Sequence, residues 1–416
     1  MRLPNALLAF SLFVGIAAAE AKYSVLYSFG ANANDGNLPN GGLVFDKSGN
    51  LYGTTQQGGN STACNFGCGT VFELSPGPNG VWVESVIYSF CSQANCSDGA
   101  TPMAGLAIDG AGNLYGTTKG GGNAFGYGTV FKLSPPNVAG AAWSLSELWY
   151  FSGNGSGDGE YPQSRLTWDT AGNLYGTTYF GGNYAFGSVF ELSPVQGGGW
   201  SEKVLYSFCQ IGPPHCADGY EPVESVTFDK LGNLYGTTPQ GGARFSQGTL
   251  FELTPAQDGT WTENTLYDFS DQGGGRPLSA VNFDSSGNLY TTASEGGLGD
   301  GSVFKFMPQP GGGLKKLSLL FNESQGPSTP VAGVFLDPRF SNRLYGTAEN
   351  GGANGAGEIY GLTGKNLTTI YAFCAMPGCA DGANPTGSLT YHGGQVYSIT
   401  ATGGDFNKGV VFTIKP

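Results

Sequence analysis

The segment Gly49-Asn50-Leu51-Tyr52-Gly53-Thr54-Thr55 returns unchanged at 112–118, 172–178 and 232–238, and in altered form at 287–292, 342–348 and 394–400. Its tyrosines, Tyr52, Tyr115, Tyr175, Tyr235, Tyr290, Tyr345 and Tyr397, stand 52 to 63 residues apart. A period of this size means stacked supersecondary units, each unable to bury its apolar face alone. Within the first copy, four runs rich in Val, Leu, Phe, Tyr and Thr, at 42–46, 50–55, 70–74 and 83–90, are bounded by turn residues. No helical period appears after the first twenty residues. The 72 glycines among 416 residues weigh against long helices too, since each interior Gly costs ~1 kcal/mol relative to Ala. Seven units of four antiparallel strands predict an all-β fold, a seven-bladed β-propeller filling 22–416 as one domain.

The ends of the chain are out of phase in an informative way. The run 23–29 reads like the fourth strand of a unit, as at 86–90, 204–208 and 370–373, whereas the chain ends at 410–414 with a third-strand sequence. The N-terminal strand is therefore expected to complete the last blade and close the ring, which removes two open sheet edges.

Residues 1–21 read as an export signal. Arg2 precedes an apolar run at 6–19, which ends in small residues at Ala17-Ala18-Ala19 and Ala19-Glu20-Ala21. The run is too short for a membrane span of about 20 residues, and nothing later in the sequence reaches that length. The expected location is outside the cytoplasm: secreted, periplasmic or on the cell surface. Eight cysteines fall into four close pairs, Cys64/Cys68, Cys91/Cys96, Cys209/Cys216 and Cys374/Cys379. An even count in an exported chain reads as disulfides. No metal or cofactor is expected, because the pairs lack zinc-knuckle spacing and the chain has two histidines, His215 and His392. The net charge of -13 excludes an electrostatic grip on nucleic acid.

The succession Leu-Tyr-Ser-Phe, Asp-Gly with Pro, Gly-Leu with Asp, Gly-Asn-Leu-Tyr-Gly-Thr-Thr and Gly-Thr-Val-Phe-Glu-Leu resembles the GloVer tandem-repeat family of exported bacterial proteins. The likeness runs through the mature chain and is nearly literal in repeats one to four. It implies a propeller similar to NHL-type ones, export and a bacterial source, and it implies no reaction or ligand. Unlike the anchored members, this chain has only Lys415-Pro416 after its last strand, so no C-terminal anchor is expected.

Function is sought where the repeats differ. The residues around the Pro before each first strand are small or neutral in Asn37-Leu38-Pro39, Ala100-Thr101-Pro102, Ser328-Thr329-Pro330 and Ala383-Asn384-Pro385. Three consecutive repeats depart from this, with Glu160, Tyr161 and Arg165 in the third, Tyr220, Glu221 and Glu224 in the fourth, and Arg276 in the fifth. Tyr179, Phe180 and Tyr184 lie in the neighbouring loop of the third, and His215 in the cysteine-bracketed loop of the fourth. Charges are scarce, at 12% of residues, so a cluster of them at one sector of the channel mouth is informative. Aromatic platforms beside carboxylates suit a sugar, which stacks on rings and offers hydroxyls. The expected ligand residues are Tyr161, Arg165, Tyr179, Phe180, Tyr184, Tyr220 and Arg276. In an enzyme, Glu160, Glu221, Glu224 and His215 would be the acid–base candidates. The leading reading is a monomeric binding module for extracellular glycans or surface proteins. A polysaccharide hydrolase or lyase is the alternative, and a structural envelope protein the third.

Overall fold

Every copy of the Leu-Tyr-Gly-Thr-Thr segment forms a buried strand, and the computed structural model shows why each residue is needed. The structure describes residues 22–138, 140–153, 157–212, 216–296, 299–321, 326–340 and 342–416. The leader expected at 1–21 and His215 lie outside them. Seven antiparallel four-stranded sheets form the blades, and there is no α-helix among the described residues. The first blade is Gly36–Phe45, Leu51–Gly58, Thr70–Pro76 and Trp82–Ser89. In the third, the inner strand is split into Gly159–Pro162 and Thr167–Trp168, both pairing with Leu174–Gly181.

In the register, the Gly of the second strand faces the Phe of the third, as Gly53↔Phe72, Gly116↔Phe131, Gly176↔Phe190 and Gly236↔Phe251. A Cβ on Gly176 would lie 2.6 Å from the Phe190 ring, so the ring needs that space. The same ring meets, edge to face, a Phe that ends the outer strand of the preceding blade. Seven such pairs run round the ring: Phe29–Phe72, Phe90–Phe131, Phe151–Phe190, Phe208–Phe251, Phe269–Phe304, Phe321–Tyr360 and Phe373–Phe412. Their centroids are 5.0 to 5.2 Å apart. Each buried Phe contributes roughly 1.5–3 kcal/mol of burial, and each pair about 0.5–1.5 kcal/mol beyond that. The core is thus a belt between blades rather than one central mass.

The ring closes as the sequence predicts. Lys22–Ser28 pairs antiparallel with Val410–Lys415, and its register slips between Val25 and Tyr27. The slip opposite Val411 and Phe412 reproduces the one opposite Val71 and Phe72 in the first blade. A second closure lies at Gly409, where a Cβ would sit 2.6 Å from Pro39 Cδ and 2.4 Å from the Thr400 carbonyl.

Two sets of repeated aspartates hold turns. Asp46 Oδ1 accepts the Ser48 and Asn50 N–H groups while Oδ2 accepts Asn50 Nδ2 and the Tyr52 hydroxyl. Blades two to five repeat the arrangement at Asp109, Asp169, Asp229 and Asp284. In the second set, Asp98 takes the Tyr88 hydroxyl and the Ser92 and Gln93 N–H groups. Asp218 and Asp381 do the same with Tyr206 and Tyr371.

Candidate functional site

One residue per blade sits at the mouth of the channel in the left-handed region: Leu38, Thr101, Tyr161, Glu221, Arg276, Thr329 and Asn384, with φ between 53° and 59°. Each precedes a proline, a position that normally favours extended backbone. Such strain costs about 1–3 kcal/mol and persists only where the surroundings enforce it. Here the enforcement comes from the neighbouring blade. The N–H groups of Tyr161, Glu221, Arg276 and Asn384 donate to the carbonyls of Tyr127, Phe186, Gln247 and Ala356. The turn lifts each slot side chain over the preceding blade. The three slots that break the sequence habit are therefore adjacent.

Two of them, Tyr161 and Glu221, join a longer arc than the sequence suggests. Phe125 stacks on Tyr127 at 6.0 Å, Tyr127 meets Tyr161 edge-on at 5.6 Å, and Tyr161 meets Phe180 at 6.2 Å. Phe180 touches Tyr179 at 4.5 Å, and the Tyr179 hydroxyl donates to Glu221 Oε2 at 2.8 Å. Gln240 Nε2 donates to the same carboxylate oxygen, and Gln240 Oε1 accepts the Tyr220 hydroxyl at 2.8 Å. Tyr220 closes the arc against Phe186 at 5.5 Å. The rings between Tyr127 and Tyr220 are half-buried, each leaving part of its surface open. Burial and then the bond to Glu221 push the Tyr179 phenol up to about 12. Burial also raises Tyr161 and Tyr220.

The arc spans blades two to four, one blade earlier than the sector expected from sequence. Arg276, on the fifth blade, pairs with Glu295 at 2.7 Å on the exposed rim. Glu160 is 8% exposed, its carboxyl beside Gly153. Tyr184 lies apart, lining a cavity of about 560 Å³ with Trp149, Trp261, Asp158 and Glu202. Sequence reasoning missed Phe125, Tyr127, Phe186, Gln240 and Glu295. Tyr127 and Phe186 precede the glycine before their third strands, where the other repeats carry Cys68, Gln247, Asp300, Ala356 and Lys408. The same test of broken habit, applied there, finds them.

Arg165 and Glu224 lie deeper, in the lumen, a cavity of about 850 Å³ also lined by Glu349, Gln163, Asn282 and Trp168. Burial pushes the Glu224 carboxyl up to about 7, against the Ser225 N–H and the Arg165 charge that pull it down. Burial likewise raises Glu349 and lowers Arg165. The acid–base candidates thus occupy three environments: Glu160 packed away, Glu221 held by two donors, and Glu224 facing the lumen.

All four expected disulfides form, Cys64–Cys68, Cys91–Cys96, Cys209–Cys216 and Cys374–Cys379. All four lie on the mouth face, where the Cys68 carbonyl accepts the Thr101 N–H and the three others tie the loops of the next strand pair. The carbonyls of Cys96, Cys216 and Cys379 accept the N–H groups of Gly122, Gly242 and Gly404 in the loops between second and third strands. The tips of these loops carry an outer crown of exposed aromatics at one equivalent position. They are Phe66, Phe125, Tyr184, Phe245 and Phe406, between 44% and 79% exposed.

A family model described as the Gloeobacter/Verrucomicrobia repeat matches residues 12–145, 65–300 and 283–416. No curated protein sequence matches the chain. Among solved structures, the chain is similar to the extracellular domain of the one-component system BT4673 from B. thetaiotaomicron, at 12% identity and a TM-score of 0.53. That likeness covers 95% of this chain and 42% of the other. It is also similar to PorZ, a bacterial surface component of the type-IX secretion system of Porphyromonas gingivalis, at 13% identity and a TM-score of 0.51. The second likeness covers 90% of this chain and 46% of PorZ. The chain thus spans less than half the length of either relative, and at these identities the likeness is one of fold.

Proposed function

Since the chain belongs to the Gloeobacter/Verrucomicrobia repeat family, whose fold names no chemistry, we propose from the site that it is an extracellular glycan-binding module. The observation that carries this reading is the arc from Phe125 to Tyr220. Its open ring faces flank fixed polar groups, the Glu221 carboxylate and the Gln240 amide, on a face braced by disulfides. Rings supply a flat apolar platform and the polar groups fix orientation, as small-ligand sites require. The crown of tip aromatics supports it further, because five equivalent contacts suit a repeating polymer and multiply weak affinities. Disulfides and the export signal read at 1–21 support an extracellular location. No helix among the described residues is long and apolar enough to cross a membrane.

A glycan array probed with the protein and with Tyr127→Ala tests the reading. Retention of one glycan class by the wild type, lost in the variant, is the expected result. A bare array, or equal retention by both, contradicts it. The second reading, a polysaccharide hydrolase or lyase, draws on Glu224, whose carboxyl near 7 suits a general acid. Release of reducing ends from the retained glycan, abolished in Glu224→Gln, would favour that reading.

A further inference from the structure

We propose that the lumen is a second storey of this site, anchored on Arg165, and that it selects the carboxylate of an acidic sugar. The proposal rests on the glycan reading above and adds the ligand's charge class. Among the described residues the charged groups lining the lumen are Arg165, Glu224 and Glu349. Among the described residues Arg165 has no hydrogen-bond partner, and no carboxylate lies within ion-pair distance of it. Its side chain is exposed to the lumen yet walled by protein. A guanidinium so placed faces an open lumen with its donors uncommitted to any described protein group. It presents a planar fork of donors that matches a carboxylate.

The position fits the arc. Arg165 follows Tyr161 by four residues on the chain that descends the lumen, a reach of at most about 14 Å. A sugar stacked at the rim can therefore extend its next units toward Arg165. Glu349 occupies, in the sixth blade, the position Tyr179 holds in the third, so it faces the same opening. The two carboxyls set the sign of the pH response. With its carboxyl pushed up to about 7, Glu224 is largely protonated at pH 5.5 and no longer competes for the Arg165 charge, and burial raises Glu349 in the same direction. By pH 8 Glu224 is ionised and competes with the ligand for that charge. An acidic ligand should bind more tightly at the lower pH.

Titration calorimetry with trigalacturonic acid and with maltotriose, a neutral trisaccharide, tests this. At pH 5.5 the acidic probe should bind at least tenfold tighter than the neutral one, and the gap should narrow at pH 8. Arg165→Gln should abolish the gap, Arg165→Lys should keep part of it, and Lys230→Gln, on an exposed turn, should change nothing. Both Arg165 variants should melt with the wild type, since the side chain has no bonds to lose. An acidic preference that survives both variants, or equal binding of the two probes, overturns the proposal. If maltotriose alone binds and Tyr161→Ala removes it, the rim reading stands and the lumen proposal falls. If the acidic probe binds through Arg165 but ignores Tyr161→Ala, the rim reading falls. If neither probe binds, both fall.

Discussion

The Tyr179 hydroxyl, on the third blade, donates to Glu221 Oε2 on the fourth at 2.8 Å. The bond crosses a blade boundary at the channel mouth and fixes both groups in the aromatic arc. Tyr179→Phe removes one charge-assisted donor from a half-buried carboxylate, which Gln240 still holds. The expected loss is about 1 kcal/mol, read as a lower urea midpoint. An unchanged midpoint would mean the bond does not form in solution.

The ring is held shut by Lys22–Ser28 and by Phe29 behind it. Tyr23 stacks on Tyr371 at 3.9 Å, and Phe29 is fully buried against Phe72. Phe29→Ala should cost about 3–5 kcal/mol, as for a large core truncation. The chain should still unfold in one transition by calorimetry, because every blade interface belongs to the same belt. A variant that melts with the wild type would contradict the closure.

Gly409 tests the proline staple between last and first blades. It has φ 94° and its missing Cβ would strike Thr400 and Pro39. Gly126 also has positive φ, at 73°, but nothing within 4 Å. Gly126→Ala should cost about 1–2 kcal/mol from backbone strain alone. Gly409→Ala should lower the melting temperature clearly further. Equal shifts would show that the interblade contact is unimportant.

How much of this was legible in the sequence follows from what repeats encode. Strand positions, ring closure and disulfide partners depend on residues near in sequence or equivalent between units, so Tyr52, Phe29 and Cys91 could be read directly. The arc could be read only in part: Tyr161, Tyr179, Phe180, Tyr220 and Glu221 stand out as breaks in the repeats, but their contacts do not, because Tyr127 and Tyr161, or Tyr179 and Glu221, meet only through the positive-φ slot that swings one blade's residue over its neighbour. Arg165 was expected beside Tyr161 at the rim. It lies in the lumen instead, because the inner strand runs down the channel and four residues carry it a full storey deeper.

Stability should fall as pH rises through neutrality. Burial, and then a nearby aspartate, push the carboxyls of Glu202 up to about 8 and of Glu84 up to about 7. Burial raises Glu263 to about 7 as well. The folded state therefore holds more protons than the unfolded one between about pH 4.5 and 8, so unfolding free energy declines over that range. Urea midpoints at pH 5 and pH 8 should differ in that direction, and Glu202→Gln should flatten the slope. A midpoint that rises with pH would contradict it.

The central claim is that the arc at the mouth, and not the ring as a whole, holds a glycan. Titration calorimetry with the best glycan from the array, on Tyr161→Ala and on Asn384→Ala, compares equivalent slots inside and outside the arc. The account predicts at least a tenfold loss of affinity for Tyr161→Ala and less than a twofold change for Asn384→Ala. Equal losses at the two slots, or a loss confined to Asn384→Ala, would contradict it.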